Sequence, residues 1–81
     1  MLKQYTLTIK EIETESVQSS HLHILRYDTD LQELQITFNN GSVYVYADVP
    51  IEEWQGLIAA SSKGKYFHRY IRDTYNYSRL S

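Results

Sequence analysis

The stretch that decides the fold is LQITFNNGSVYVY, residues 34–46. Leu34, Ile36 and Phe38 alternate with polar residues, as they do in a strand with one buried face. An Asn-Gly pair that ends at Gly41 follows, and such a pair between two β-rich runs is typical of a hairpin turn. The run VYVY that comes next has the composition of a returning strand. The stretch therefore predicts a β-hairpin.

Tyr44 and Tyr46 share one face of the returning strand because they are two residues apart. A two-residue turn would pair Ile36 with Val45 and leave both tyrosines facing outward, where a stacked nucleic-acid base contributes about 1–3 kcal/mol. A three-residue turn with Gly41 left-handed would instead pair Ile36 with Tyr44 and bury both tyrosines. The residues of the hairpin alone leave both registers open.

The residues before the hairpin predict further strands. Two-residue alternation predicts one strand over residues 1–15 and another over residues 17–27. The apolar pattern of the second strand is imperfect, which predicts a bend or bulge near Ile24. We expect a short polar turn over residues 28–32 to connect this strand to the hairpin.

Two helices are predicted after Pro50, which suits the first turn of a helix. Apolar residues three and four apart predict a helix over residues 51–62 with Trp54 in the core, and Gly64 is expected to end it in a left-handed conformation. The same spacing predicts a second helix over residues 66–75. Its expected inward-facing residues are Phe67, Tyr70, Ile71 and Tyr75.

Strands that come before helices along the chain indicate an α+β fold. We expect an antiparallel β-meander of three to four strands, followed by two C-terminal helices packed on one face of the sheet. Phe38 and Phe67 are expected to join Trp54 in the core. The last residues, 77–81, are expected to be frayed.

The composition excludes several classes of protein. The chain has 81 residues, enough for one domain at most, and it has no cysteine, which excludes disulfides, thiol catalysis and thiolate zinc sites. Hydrophobic residues are 42% and charged residues 22%, as in ordinary globular domains. Apolar stretches fall far short of the ~20 residues that span a bilayer, and residues 1–10 do not resemble a signal peptide. We therefore expect a cytoplasmic protein without membrane contact.

The net charge of −2 conceals two unlike segments. Residues 1–62 carry three basic residues against nine acidic ones, a net charge of −6, whereas residues 63–81 carry five basic residues against one acidic residue, a net charge of +4. The second segment also holds five of the eleven aromatic residues. Cations that meet phosphates and rings that meet bases are typical of nucleic-acid contacts. The candidate nucleic-acid-binding residues are Lys63, Lys65, Arg69, Arg72, Tyr44 and Tyr46.

The basic segment has a structural interpretation as well. The cations would then lie on a solvated helix and would complement the acidic remainder of the protein, without a nucleic-acid partner. In that case Arg72 would hold the second helix to the sheet through an ion pair with Asp28 or Asp48. Both interpretations are kept at this point.

Other residue groups carry weaker expectations. His21 and His23 could start a metal site, but no spacing requires a third ligand, so we expect no metal. Residues 61–65, SSKGK, lack the glycine spacing of a phosphate-binding loop. We expect Ser62 to cap the second helix and Lys63 to lie near the C-terminal end of the first. The sequence has no catalytic triad order or cofactor fingerprint, so we expect neither an enzyme nor a cofactor.

An ordered series of short motifs runs through the chain from residue 17 to residue 75. They are Val17-Gln18-Ser19-Ser20, Leu22, Leu25, Tyr27-Asp28, Leu34-x-Ile36-x-Phe38, Gly41, Tyr44-Val45-Tyr46, Val49-Pro50, Ala60-x-Ser62-x-Gly64, Phe67 and Ile71-Arg72. This series resembles the KTSC domain, which is named for the C-terminus of some lysyl-tRNA synthetases and also occurs alone in bacterial and phage proteins. We therefore divide the chain into an extra N-terminal strand, residues 1–16, and a KTSC-like domain, residues 17–77.

The resemblance implies a central Tyr-x-Tyr motif, here Tyr44 and Tyr46. The residue between the two tyrosines is often charged in the family, which places position 45 outside and favours burial of the tyrosines. The synthetase context implies an RNA-related role. Arg26 departs from the family pattern because a glycine is usual at its position.

The sequence thus predicts a small non-catalytic binding module. RNA is the first candidate partner, bound through the basic aromatic C-terminal segment. The alternative is a protein-interaction module, such as a phage or mobile-element accessory protein that acts on a host protein. The expected oligomeric state is a monomer or a weak homodimer.

Overall fold

The computed structural model describes the backbone of residues 13–16 and residues 22–81, and it confirms the α+β fold. Five antiparallel strands form one sheet in the order β1-β2-β3-β4-β5, and the helices lie on one of its faces. The elements are β1 (Glu13–Ser16), β2 (Leu22–Asp28), β3 (Glu33–Phe38), β4 (Val43–Tyr46), α1 (Ile51–Ala59), α2 (Lys63–Tyr66), a π-helical turn (Phe67–Ile71) and β5 (Tyr77–Arg79).

The core lies between the sheet and the helices. We call α2 and the π-helical turn together the second helical segment. Alternate residues of β2, β3 and β4 face the apolar side of α1 and of this segment, as two-residue alternation requires. The buried residues of this core are Leu22, Leu25, Tyr27, Leu34, Ile36, Tyr46, Val49, Trp54, Leu57, Phe67 and Ile71. Phe38 is half-buried against them. The helices in the described part of the chain are too short and too polar to cross a membrane.

The register of the β3–β4 hairpin settles the orientation of the two tyrosines. Ile36 lies opposite Tyr44 and Leu34 lies opposite Tyr46, which is the register of the three-residue turn. Two backbone hydrogen bonds of 2.9 Å close that turn. Gly41 has a φ of 91°, a left-handed conformation that glycine adopts without steric strain. Both tyrosines therefore point to the helix side of the sheet, and the outward-facing platform does not form.

The first two strands agree with the sequence where they are described. Residues 13–16 form β1, which pairs antiparallel with β2. The register of β2 against β3 shifts between Leu22 and Ile24, which confirms the predicted bulge. Residues 1–12 and 17–21 of the two predicted strands lie outside the described residues.

The first helix begins as predicted and ends earlier. Pro50 precedes α1 in an extended conformation, and Trp54 is buried with its ring stacked 5.4 Å from that of Tyr27, which confirms its place in the core. The helix ends at Ala59, and the next residue, Ala60, is extended (φ −69°, ψ 142°). The prediction that Gly64 ends the helix in a left-handed conformation was wrong, since Gly64 lies inside α2.

The second helical segment runs from Lys63 to Ile71 instead of over residues 66–75 as predicted, and its hydrogen-bonding pattern changes along its length. The Lys65 backbone N–H donates to Ser62 Oγ at 3.4 Å, which confirms the cap. Further along, the Arg72 N–H donates to the Phe67 carbonyl at 2.9 Å, five residues back, so residues 67–71 form a π turn. The wider turn changes the phase of the helix, and Tyr70 is 47% exposed instead of inward-facing as expected.

A group of residues that we call the Glu53 cluster connects α1 to the second helical segment. It consists of Glu53, Tyr66, Tyr75 and the stacked pair Tyr27–Trp54. The hydroxyls of Tyr66 and Tyr75 donate to separate oxygens of the Glu53 carboxylate, at 2.5 and 2.9 Å. The Tyr27 hydroxyl donates to the Val49 carbonyl at 2.5 Å. Burial, followed by the hydrogen bond to Glu53, raises the pKa of both Tyr66 and Tyr75 to about 12.

The end of the chain forms a strand, which corrects the prediction that residues 77–81 are frayed. In β5, Tyr77 lies opposite Tyr46 and Arg79 lies opposite Tyr44. The Leu80 N–H also donates to the Val43 carbonyl at 2.7 Å. All three residues of β5 are exposed, so its order comes from backbone pairing with β4 instead of from burial.

Candidate functional site

A groove of about 570 Å³ opens between the C-terminal strands of the sheet and the second helical segment. Strands β4 and β5 form one side because their paired tyrosines project toward the helices. The helical segment forms the other side. The lining residues are Phe38, Ser42, Tyr44, Tyr46, Gly64, Phe67, His68, Arg72, Asp73 and Tyr77.

Five of these residues form a closed circuit of rings, which we call the ring cluster: Phe38, Tyr44, Tyr77, Tyr46 and Phe67. Taken in that order, neighbouring ring centroids are 5.4, 5.3, 5.4, 5.6 and 5.8 Å apart, the last distance joining Phe67 back to Phe38. The pairs are edge-to-face or tilted, as aromatic quadrupoles favour. Tyr77, which is 58% exposed, is the ring of the cluster that solvent reaches most.

The three tyrosines of the ring cluster differ in exposure. Tyr77 is 58% exposed, Tyr44 is half-buried and Tyr46 is 3% exposed. None of the three hydroxyls is hydrogen-bonded to another described residue. Burial, and then the neighbouring Tyr77 and Tyr44, raises the pKa of Tyr46 to about 12. Tyr46, like any tyrosine, is neutral at physiological pH, so its hydroxyl can donate to an acceptor group in the groove.

Charged residues stand at the helical rim of the groove. The π turn aligns Arg72 with Phe67, five residues back, and His68 lines the groove beside them. The Arg72 guanidinium lies 3.3 Å from the carboxylate of Asp73, and both side chains are exposed, so water screens the pair. The predicted ion pair of Arg72 with Asp28 or Asp48 was wrong, because the π turn directs this side chain to the groove.

The other predicted cations lie elsewhere. The Lys63 ammonium donates to the Ala60 carbonyl at 3.1 Å, which confirms its expected place at the end of α1. Lys65 and Arg69 are exposed and do not line the groove. The structure thus brings together three of the six candidate residues, Tyr44, Tyr46 and Arg72, and leaves the other three outside.

Sequence reasoning missed one aromatic residue of the groove and one cation beside it. Tyr77 was counted only as part of a basic aromatic segment, because three exposed residues carry no alternation that predicts a strand. Arg79 was counted only as a charge, and its guanidinium lies 5.8 Å from the centroid of the Tyr44 ring, within cation–π range. Within the described residues, no three His, Asp or Glu side chains are grouped as metal ligands would be, and His21 lies outside them.

Comparison with known proteins identifies the fold family. The sequence model of the KTSC domain matches residues 18–75. A lysine–tRNA ligase of Trichormus variabilis is 39% identical over 64 residues, which are 79% of this chain and 11% of the ligase, so the chain spans about a tenth of that enzyme. An uncharacterized protein of Stutzerimonas stutzeri is 38% identical over 66 residues, which cover 80% of this chain and 93% of that protein.

A solved structure agrees with these sequence matches. The crystal structure of a KTSC domain protein from Yersinia pestis superposes with a TM-score of 0.79 at 30% identity. The superposition covers 86% of this chain and 99% of that protein. Sequence and structure agree on the assignment that the resemblance implied, and the chain belongs to the KTSC domain family.

Proposed function

We propose that this KTSC domain is a non-catalytic module that binds single-stranded RNA in the aromatic groove. The observation that carries the proposal is that one groove is lined by the exposed Tyr77, the buried Tyr46 and the cationic Arg72. These are three kinds of contact that an unpaired nucleotide needs: a surface for the base, a donor for its acceptor atoms and a cation for its phosphate.

Each group has a defined role in this proposal. The base stacks on Tyr77, whose ring stands at the open side of the ring cluster. Tyr46 donates its hydroxyl hydrogen to an acceptor atom of the base or the phosphate, as a neutral tyrosine can. Arg72 binds a phosphate, and its exposed pairing with Asp73 is weak enough to be exchanged for one.

The relatives support an RNA ligand as the first choice. Lysine–tRNA ligases act on tRNA, and segments of three of them match this chain. Residues 63–72 of the second helical segment carry four Lys or Arg residues and no acidic one. A polyanion is therefore the ligand that this segment attracts.

The test is a titration of the protein with a short fluorescent single-stranded RNA at several salt concentrations. We expect the logarithm of the association constant to fall linearly with the logarithm of the salt concentration. Each phosphate contact should contribute about 0.7 to the slope. Arg72→Gln should lower that slope, whereas Arg26→Gln, the same charge change on the outer face of the sheet, should not. Absence of binding even at low salt would refute the proposal.

Asp73 provides a variant with the opposite sign. Asp73→Asn removes the carboxylate that faces Arg72 across 3.3 Å at the rim of the groove. We expect this variant to bind RNA more tightly than the wild type, because it removes repulsion of the phosphate and frees the guanidinium. Asp30→Asn, an exposed acid in the β2–β3 turn, is the matched control and should leave the affinity unchanged.

The edge of the sheet supports a second candidate function, protein interaction. Strand β5 is the last in the sheet order, and all three of its residues are exposed, so a partner strand could add to its outer edge. In that case a partner peptide would shift the backbone amide resonances of Tyr77–Arg79 and leave those of Gly64 and His68 unchanged. RNA bound in the groove would shift both sets.

A further inference from the structure

The second helical segment presents a second basic and aromatic surface, outside the groove. We call Lys65, Arg69 and Tyr70 the helical platform. Tyr70 is 47% exposed and its ring centroid lies 4.7 Å from that of Tyr66, so an aromatic face is held in place at the surface. Lys65 and Arg69 are both exposed. Exposed aromatic rings together with cations are the groups with which proteins bind single-stranded nucleic acids.

The charges near this platform favour an anionic partner. Residues 63–72 contain no carboxylate. Glu53, the acid that contacts Tyr66, accepts hydrogen bonds from Tyr66 and Tyr75 on its two oxygens and is half-buried. The positive charge of Lys65 and Arg69 therefore meets no described acidic side chain in a salt bridge, unlike that of Arg72, which pairs with Asp73.

The platform adjoins the rim of the groove on one helical segment. Phe67, His68 and Arg72 line the groove, whereas the platform residues do not. Lys65 precedes His68 by three residues and Arg69 precedes Arg72 by three, and residues three apart are neighbours on a helix. A ligand chain that leaves the groove past His68 and Arg72 therefore passes directly onto the platform.

We infer that the domain binds RNA as a continuous single strand over two subsites, with one unpaired nucleotide in the groove and a following one on the helical platform. The inference rests on the proposed function, since it presupposes that RNA occupies the groove. It names the ligand class more narrowly: both subsites stack bases, and paired bases do not offer their faces to side chains. A duplex of the same length therefore binds less tightly than the single strand.

The experiment compares two ligands, uridine monophosphate and a uridine decanucleotide. The monophosphate should shift the amide resonances of groove residues, and the decanucleotide should also shift those of the platform. The double variant Lys65→Gln/Arg69→Gln should reduce the salt slope for the decanucleotide by about 0.7 for each lost phosphate contact. It should change the binding of the monophosphate far less than that of the decanucleotide.

A stacking variant and a control complete the test. Tyr70→Ala should weaken decanucleotide binding by roughly five-fold to hundred-fold, as loss of one stacked base does, while circular dichroism confirms the fold. Arg26→Gln is the control for charge. If the platform variants bind the decanucleotide as tightly as the wild type while Arg72→Gln does not, the two-subsite inference is wrong and the proposed function stands. If neither ligand binds the wild type, both are wrong.

Discussion

The Glu53 cluster and the ring cluster are built from the same residue types and differ in what their hydroxyl groups contact. In the Glu53 cluster, Tyr27, Tyr66 and Tyr75 all donate to protein acceptors. In the ring cluster, Tyr46 is just as deeply buried as the core, yet its hydroxyl meets no described acceptor. Both clusters are packed by ring contacts near 5 Å.

This difference separates packing from recognition. Buried polar groups in native proteins nearly always have a partner. The Glu53 cluster pairs its own hydroxyl donors in the folded chain, so it leaves none of them for a ligand. A cluster that keeps a donor and an exposed ring at a groove has contacts left for a ligand. The aromatic excess of the sequence therefore divides into a structural half and a half that we assign to binding.

The largest expected effect is on stability, from the structural half. Trp54→Ala should lower the free energy of unfolding by about 3–5 kcal/mol, because it opens a cavity beside Tyr27. Small domains have only about 0.05–0.15 kcal/mol of stability per residue, so this variant should be largely unfolded at elevated temperature. Denaturant unfolding measures the loss. Tyr77→Ala, in the ring cluster, should lower the free energy of unfolding by about 1 kcal/mol or less. A larger loss than that of Trp54→Ala would contradict the division into a structural half and a binding half.

The next effect isolates the hydrogen bonds of the structural half. Glu53→Ala leaves two tyrosine hydroxyls without their acceptor and should lower the free energy of unfolding by about 1.5–3 kcal/mol. Glu52→Ala is a matched control, since Glu52 is in the same first turn of α1 and exposed. Equal losses in the two variants would show that the helix dipole, instead of the hydroxyl bonds, accounts for the effect.

A change in the binding half should affect affinity more than stability. Tyr77→Ala should weaken RNA binding by about 1–3 kcal/mol, the contribution of one stacked base. Tyr77→Phe keeps the ring and should bind nearly as well as the wild type. Fluorescence anisotropy at constant salt measures both. If Tyr77→Phe lost as much affinity as Tyr77→Ala, the hydroxyl and not the stacking face would be the contact.

The smallest expected effect is a pH dependence that belongs to the structural half. The pKa of Tyr66 and Tyr75 is about 12 in the folded protein, against about 10 for an unfolded tyrosine. The unfolded chain therefore loses these protons first, and the free energy of unfolding should fall as the pH rises from about 10 to about 12.

The control for this pH dependence is Tyr66→Phe/Tyr75→Phe. Phenylalanine has no proton to release, so the fall in stability over the same pH range should be shallower in the double variant, although both positions are partly solvated and the change is modest. Denaturant unfolding at successive pH values measures the slope. An equally steep fall would assign the alkaline instability to other groups, with the buried Tyr46 as the first candidate.

The sequence predicted the parts of the fold that local patterns determine. Alternation in residues 34–38, an Asn-Gly turn and a helix after Pro50 are sufficient for the hairpin and the start of α1. The irregular apolar spacing around Ile24 indicated the bulge for the same reason. The placement of Trp54 followed from its helical spacing. These features depend on neighbours a few residues away.

The remaining features depend on partners far away in the sequence. The hairpin residues fit both a two-residue and a three-residue turn, and the choice is made by burying Tyr46 against Phe67. Strand β5 exists because β4 offers it backbone partners, which no pattern in three exposed residues could reveal. Tyr70 was placed inward because helical spacing assumes an α-helix throughout. The sequence therefore identified Tyr44, Tyr46 and Arg72 as residues of the candidate site, but it did not identify Tyr77 of β5.

The π turn tolerates a change in the length of the chain. Its hydrogen bond from Arg72 to Phe67 accommodates one residue more than an α-helical turn would. Deleting a single residue between them would let the same N–H and carbonyl form an α-helical hydrogen bond, four residues apart. Phe67 would keep its place in the core and Arg72 its place at the rim, while the residues between them would shift around the helix. A change of one residue in this turn would thus alter the outer surface of the segment and preserve the groove.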